Sequence, residues 1–523
     1  MSKKGRLRQG RDEHRGVSWM IHSEDWIAYH AAASPDREAL HDLSSGRHFS
    51  YSEMDGRVRR AALYLRGDLG VEEGDRVAVL SQNDSDVFEI QFACRRLGAI
   101  FVPLNWRLAV PELEYIWADS SPKVLLYGEE FSDVVEQLRE RGGIRTTASL
   151  NNGKESEYES GLSRADGCLE SVQPGLDDIW TILYTSGTSG RPKGALITYS
   201  MALFNAVDCA IAGDLTSRAK NLVLLPTFHT GGLNVWANPL FQAGGCNVVM
   251  RVFEPALLLQ CLSDKQLNIT HTLGVPTNFL MMAQEHGFAD ADLSHVNCLC
   301  VGGAAASEAL IRDYDAVGVK LRAMYGMTEI GPLGLSLPGD KGLAKIGSSG
   351  LPTMHTEMKI CEPGGGAVKC GDVGELMIKG PSVTPGYWNK PEESAAAFSE
   401  DGWFHTGDAA RQDEDGFYYI VDRWKDMFIS GGENVYPVEV ENAIYQLKGV
   451  LETAVVGVAD EKWGEVGRAF VVLKEGAKVD EAAVIAHCKT RLAGYKVPKQ
   501  IRLVKELPHN ATGKILKHQL PRI

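Results

Sequence analysis

Residues 182–195 read ILYTSGTSGRPKGA, an apolar run that enters a cluster of hydroxyls and glycines and ends on a lysine. Glycines let backbone N–H groups turn toward an anion, and the hydroxyls of Thr185, Ser186, Thr188 and Ser189 add donors around Gly187 and Gly190. Lys193 adds a mobile positive charge. Such a loop is built to hold phosphate. It is not a Walker loop, which needs Gly-Lys followed by Ser or Thr, because Pro192 precedes the lysine and Gly194 follows it. It is not a dinucleotide G-x-G-x-x-G either.

On the N-terminal side, helical and strand-like patterns alternate. Ser23 is expected to cap a helix that Pro35 ends. Helical spacing recurs over 57–65, 87–97 and 111–118, and apolar strands over 76–80, 99–103 and 124–127. The alternation predicts a parallel α/β layer. Residues 151–178 are polar and weakly periodic, and read as a surface connection. On the C-terminal side the alternation resumes, with strands over 221–225, 247–250 and 296–301. Between Ile346 and Asp415, short strands with glycine and proline turns predict a β-rich subdomain. The last hundred residues read as a small α/β unit, with helices over 438–445 and 482–492 and strands over 452–458 and 469–473.

The bulk properties fit this plan. A chain of 523 residues is long for one core. With 44% hydrophobic and 23% charged residues it has the composition of a soluble globular protein. A net charge of −14 argues against a nucleic-acid partner. The basic start, MSKKGRLRQGRDEHRG, lacks the apolar core of a secretory signal and reads as a solvated tail. No run has the apolar length of a transmembrane segment. The 10 cysteines form no C-x-x-C pair, and Cys298 and Cys300 read as core, so a cytoplasmic location is expected.

The glycine-rich loop, with further motifs in order from about Trp26 to Leu516, resembles that of the adenylate-forming superfamily: acyl-CoA and aryl-CoA synthetases, peptide-synthetase adenylation domains and luciferase. The resemblance implies a large N-terminal adenylate-forming domain over 1–424, of α/β layers with a β-rich subdomain. A small mobile C-terminal α/β domain would follow over 425–523. It implies that Thr185–Lys193 holds the phosphates of ATP. V-G-G-A-A at 301–305 would line the acid site at Gly302 and the adenine site at Gly303 and Ala304. In M-Y-G-M-T-E at 324–329, Tyr325 would stack on adenine, flanked by Gly326 and Met327. Thr328 would contact the α-phosphate and Glu329 would hold Mg²⁺.

By the same resemblance, Asp408 in W-F-H-T-G-D and Arg423 bind the ribose hydroxyls. Lys425 is the hinge between the domains. Gly431 and Gly432 border the tunnel for the pantetheine arm of CoA. Lys514, in Asn510–Lys517, enters the active site for adenylation. His229, in P-T-F-H-T-G-G, and Gly331 would line the acid pocket, and the apolar, glycine-containing stretches around them favour a hydrophobic acid.

The activity implied is that of an AMP-forming acid–CoA ligase using ATP, Mg²⁺ and coenzyme A, with a homodimer expected by family analogy. Two other readings stand beside it. The acyl group could pass to a carrier protein, which would be free-standing because no fused carrier domain is expected after Lys514 in a chain ending at Ile523. The chain could also be a non-catalytic binding relative, a reading that predicts eroded motifs.

Overall fold

The computed structural model describes residues 24–141, 144–185, 192–362, 365–423, 426–430, 433–460, 462–509 and 515–521. The basic tail and Ser23 lie outside them. The first described helix, Trp26–Ala33, is instead capped by Asp25, whose carboxylate accepts the Ala28 N–H at 3.0 Å.

Two sheets build the larger part. The first orders its strands Thr147–Leu150, Val124–Gly128, Arg76–Leu80, Ile100–Pro103, Ile179–Thr185 and Lys193–Thr198. All its neighbours are parallel except the last pair, an antiparallel hairpin in which Thr185 faces Lys193. The second has nine strands, with Leu321–Tyr325, Cys298–Val301, His271–Gly274, Lys220–Val223 and Cys246–Val249 side by side and parallel.

The helix Ser85–Leu97 lies in the core between these sheets, and every one of its residues is buried. Its sequence includes Asp86, Glu89 and Arg96, and each charge has a partner there. Arg57 reaches Glu89 at 2.5 Å, Arg47 reaches Asp86 at 2.7 Å and Arg96 reaches Asp25 at 2.8 Å. A buried charge is tolerable only when paired in this way.

The stretch 151–178 is not the surface connection that its polarity suggests. It contains the helix Glu157–Arg164, with Tyr158 and Leu162 buried. Tyr158 donates to Glu89 at 3.0 Å, and Glu159 receives Arg57 at 2.5 Å. The helix therefore closes the same charge network.

The β-rich segment is an antiparallel sheet of Glu357–Cys361, Gly374–Lys379, Phe404–Gln412 and Tyr418–Arg423. From Phe428 on, strands join a different sheet: Glu433–Val435, Phe428–Ser430, Gly464–Leu473 and Val450–Asp460, with Gln500–Val504 beside Gly464–Leu473. The helices Pro437–Tyr445 and Glu481–Lys489 pack on it around Val440, Ile444 and Val484. This smaller unit has its own cores. All 10 cysteines are free thiols, 8 of them buried.

Candidate active site

Four parallel strands of the nine-stranded sheet end at one cavity. The chain leaves Lys220–Val223 toward Phe228 and His229, His271–Gly274 toward Val275, Cys298–Val301 toward Gly302, Gly303 and Ala304, and Leu321–Tyr325 toward Gly326 to Glu329. The carboxyl ends of parallel strands are where α/β sheets bind ligands. The volume is about 2330 Å³, against roughly 300–1,000 Å³ for a single small-molecule pocket. There is room for more than one substrate.

Thr185 and Lys193, which flank the glycine-rich loop on adjacent strands, both line the cavity. Glu329 meets them there. Its side chain is buried, and its Oε1 accepts from the Tyr387 hydroxyl at 3.1 Å and from the Thr185 hydroxyl at 3.4 Å. The Lys193 ammonium lies 5.2 Å from the centre of the Tyr387 ring. A carboxylate beside hydroxyls is a hard oxygen donor set, and it fits Mg²⁺.

Asp408 reaches the cavity from the strand Phe404–Gln412 and is 4% exposed. Its backbone N–H donates to the Thr406 hydroxyl at 3.1 Å, and its carboxylate accepts from the Tyr325 hydroxyl at 2.7 Å. The tyrosine that would face adenine and the carboxylate that would face ribose are thus tied together. Two glycines are needed for backbone reasons. Gly303 has φ +75°, and a Cβ on Gly326 would collide with the Pro332 carbonyl oxygen.

His229 lines the cavity, and its Nδ1 accepts the Gly231 N–H at 3.1 Å. When the ring is neutral, that bond puts the proton on Nε2. A π-helical turn, Gly231–Val235, follows. Around it, Phe228, Val235, Leu273, Val275, Leu280 and Leu333 give this end of the cavity an apolar lining.

Gly331 departs from the expectation. It has φ +106°, a Cβ on it would meet Ser382 and Asn205, and it is Pro332 and Leu333 that line the cavity. Position next to a motif is not position in the pocket. Ser186, Gly187, Thr188, Ser189, Gly190, Lys425, Gly431, Gly432, Lys514 and the side chain of Arg423 lie outside the described residues. His509 and Ile515, on either side of Lys514 in the chain, both line the cavity.

Sequence reasoning missed Tyr387, which orients Glu329 from 58 residues away and sits in an unremarked P-G-Y-W turn. It also missed Asp422, Glu441 and Lys517, which line the cavity where the two parts of the chain meet. Among the described residues no helix is long and apolar enough to cross a membrane.

Comparison with known proteins bears on what this cavity does. The model of the AMP-binding enzyme family matches residues 27–388, and that of the AMP-binding enzyme C-terminal domain matches 439–514. A feruloyl-CoA synthase of Amycolatopsis is 40% identical over 497 residues, covering 95% of this chain and 98% of its own. The long-chain-fatty-acid–CoA ligase FadD13 of Mycobacterium tuberculosis is 36% identical over 505 residues, covering 96% and 97%. The o-succinylbenzoate CoA synthetase of Bacillus subtilis, solved with its acyl-adenylate intermediate, superposes with a TM-score of 0.85 at 30% identity, covering 95% of this chain and 98% of its own.

Proposed function

The chain belongs to the AMP-binding enzyme family, and from that premise we propose how its own residues divide the work of an AMP-forming acid–CoA ligase. The enzyme joins a hydrophobic carboxylic acid to ATP as an acyl-adenylate and then transfers the acyl group to CoA. The observation that carries the residue assignment is one shared cavity. Thr185 and Lys193 at the ends of the phosphate loop, Glu329, Asp408 and an apolar acid pocket all open into it.

The first half-reaction is an electrostatic problem. A carboxylate must approach the α-phosphate while charge builds on the leaving pyrophosphate, and preorganised donors and cations solve it. In this proposal the loop from Thr185 through Ser186, Gly187, Thr188, Ser189 and Gly190 to Lys193 holds the outer phosphates. Thr328 contacts the α-phosphate. Glu329, oriented by Tyr387 and Thr185, would hold Mg²⁺, which would offset phosphate charge. Tyr325, Gly326, Met327, Gly303 and Ala304 form the adenine site, while Asp408 and Arg423 take the ribose diol. Lys514 brings its charge to the carboxylate and phosphate oxygens. His229, Gly302 and the apolar lining receive the acid, with Pro332 and Leu333 taking the part assigned to Gly331.

In the second half-reaction the CoA thiol, with a pKa of about 8.5 as for a free cysteine, attacks the acyl carbon and AMP leaves. The domain boundary falls at 424/425, the small domain turns about Lys425, Lys514 withdraws and Gly431 and Gly432 border the pantetheine arm. The change of sheet between Arg423 and Phe428 supports that boundary. The feruloyl-CoA synthase relative supports an aryl-substituted acid for this chain. The free thiols support a cytoplasmic location. The homodimer rests on the family resemblance, and light scattering in solution tests it.

The test of the function is a panel of aryl-propenoic, aryl-acetic and straight-chain acids with ATP and CoA. AMP, pyrophosphate and acyl-CoA should form fastest with an aryl-substituted acid. Faster turnover of long-chain acids would overturn the acid class. Preference for a phosphopantetheinyl carrier protein over CoA would overturn the acceptor.

A further inference from the structure

Lys517 follows Lys514 by three residues, and it is held between the two parts of the chain. Its ammonium lies 2.8 Å from Glu441 Oε1 and 3.9 Å from Asp422 Oδ2. All three side chains are largely buried, at 16%, 12% and 5% exposure for Lys517, Glu441 and Asp422. Desolvation pulls the lysine pKa down, but Glu441 and Asp422 outweigh it with help from Asp426, so the ammonium stays charged.

The three groups do not belong to one body. Glu441 is on the helix Pro437–Tyr445 of the smaller unit, and its Oε1 also accepts the Val455 N–H at 2.7 Å. Asp422 is on the strand Tyr418–Arg423 of the larger part, paired with Ala409 beside Asp408. Asp422 Oδ2 also accepts the N–H of Val438, in the first turn of that helix, at 3.0 Å. One carboxylate of the large part thus holds two groups of the small one: an N–H at a helix N-terminus and a buried ammonium.

We propose that Asp422 and Lys517 form a latch that holds the small domain in the adenylating arrangement and opens before CoA reacts. The inference rests on the division of labour proposed above, in which Lys514 serves adenylation and the chain turns at Lys425. Asp422 lies three residues before that hinge and stays with the large domain. Lys517 and Glu441 travel together. Opening the latch therefore parts Asp422 from Lys517 but leaves Lys517 paired with Glu441, so the ammonium is not stranded without a counter-charge, which would be strongly destabilising. Lys517 and Asp422 are positioning residues: they act on the reaction through the segment that carries Lys514.

The test uses the full chain and two separate assays: pyrophosphate release from acid and ATP, and thioester formation from supplied acyl-adenylate and CoA. Asp422→Asn keeps an acceptor for Val438 and leaves the Lys517–Glu441 pair intact. It should lower the rate of adenylation at least about tenfold while KM for ATP and the thioester rate stay within about twofold. Lys517→Met combined with Glu441→Gln removes both charges of the small-domain pair together and should show the same asymmetry. It decides the matter if Asp422→Asn does not fold. Lys517→Arg should keep adenylation. Equal losses in both half-reactions, or undiminished adenylation, would overturn the latch. Lys514→Ala, assayed alongside, separates the two ideas: if it still adenylates, the underlying assignment fails, and if it does not, a symmetric Asp422→Asn sinks the latch alone.

Discussion

Glu329 is held by hydroxyls from two separate segments, those of Thr185 and Tyr387. A carboxylate fixed in this way needs little reorganisation to take a hard cation. Glu329→Gln keeps the shape and removes the charge. Acid-dependent pyrophosphate release should then need at least about tenfold more Mg²⁺, read from a Mg²⁺ titration. An unchanged titration would remove Glu329 from the metal site. Asp408→Ala should raise KM for ATP about tenfold or more by deleting a charged acceptor worth roughly 1.5–3 kcal/mol, and the unmodified enzyme should discriminate against deoxy-ATP. Equal use of the two nucleotides would put the ribose elsewhere. Both could be named as candidates from sequence because each stands inside a short motif, M-Y-G-M-T-E and W-F-H-T-G-D. Tyr387 could not, because its partner is 58 positions away and nothing local marks the contact. Gly331 adjoins the motif as well, but a Cβ there would meet Ser382 and Asn205, and it is Pro332 and Leu333 that line the cavity.

Among the elements, strands and long helices followed their hydrophobic spacing, as at Arg76–Leu80 and Tyr51–Gly67. The failure came where polarity hid a short helix. The helix Glu157–Arg164 runs for only two turns and buries just Tyr158, Gly161 and Leu162, too few positions to reveal a period among its polar residues. In the helix Ser85–Leu97 the spacing over 87–97 was visible, but the pairing of Asp86, Glu89 and Arg96 inside the core was not. They are buried because Arg47, Arg57 and Asp25, distant in sequence, meet them. Arg57→Ala would leave Glu89, 1% exposed, without its cation. The expected cost is about 3–5 kcal/mol, read as a lower midpoint in chemical denaturation. A loss below about 1 kcal/mol would show that this network is as weak as a surface pair.

For the whole molecule, the question is how the two parts meet. Glu452 of the smaller unit accepts from Thr277 of the larger at 3.5 Å and is 3.1 Å from His509 Nε2. The hydrogen bond to Glu452 is the main reason that the pKa of His509 lies above its ordinary 6.5. A raised histidine pKa means that the fold favours the protonated ring. The resulting stability is complete below the unfolded value near 6.5 and is lost as pH rises through the higher folded value. Denaturation midpoints should therefore fall as pH rises across that window, and His509→Gln should flatten the trend. A wild-type slope surviving in His509→Gln would assign it to another group.

The two-part architecture was visible in the change of pattern along the chain. The contacts between the parts were not, since residues such as Asp422 and Lys517 carry no local signature. The central claim is that one cavity serves two half-reactions through different residues of the small domain. The most direct measurement assays the two half-reactions separately in Lys514→Ala, Gly432→Leu and Lys425→Pro, each shown to be folded. Lys514→Ala should lose pyrophosphate release by several orders of magnitude yet still convert supplied acyl-adenylate and CoA to thioester. Gly432→Leu should do the reverse, because a side chain there narrows the path for pantetheine, and Lys425→Pro should adenylate but transfer slowly, because a fixed backbone dihedral restrains the turn. Equal damage to both half-reactions in Lys514→Ala and Gly432→Leu would contradict the account.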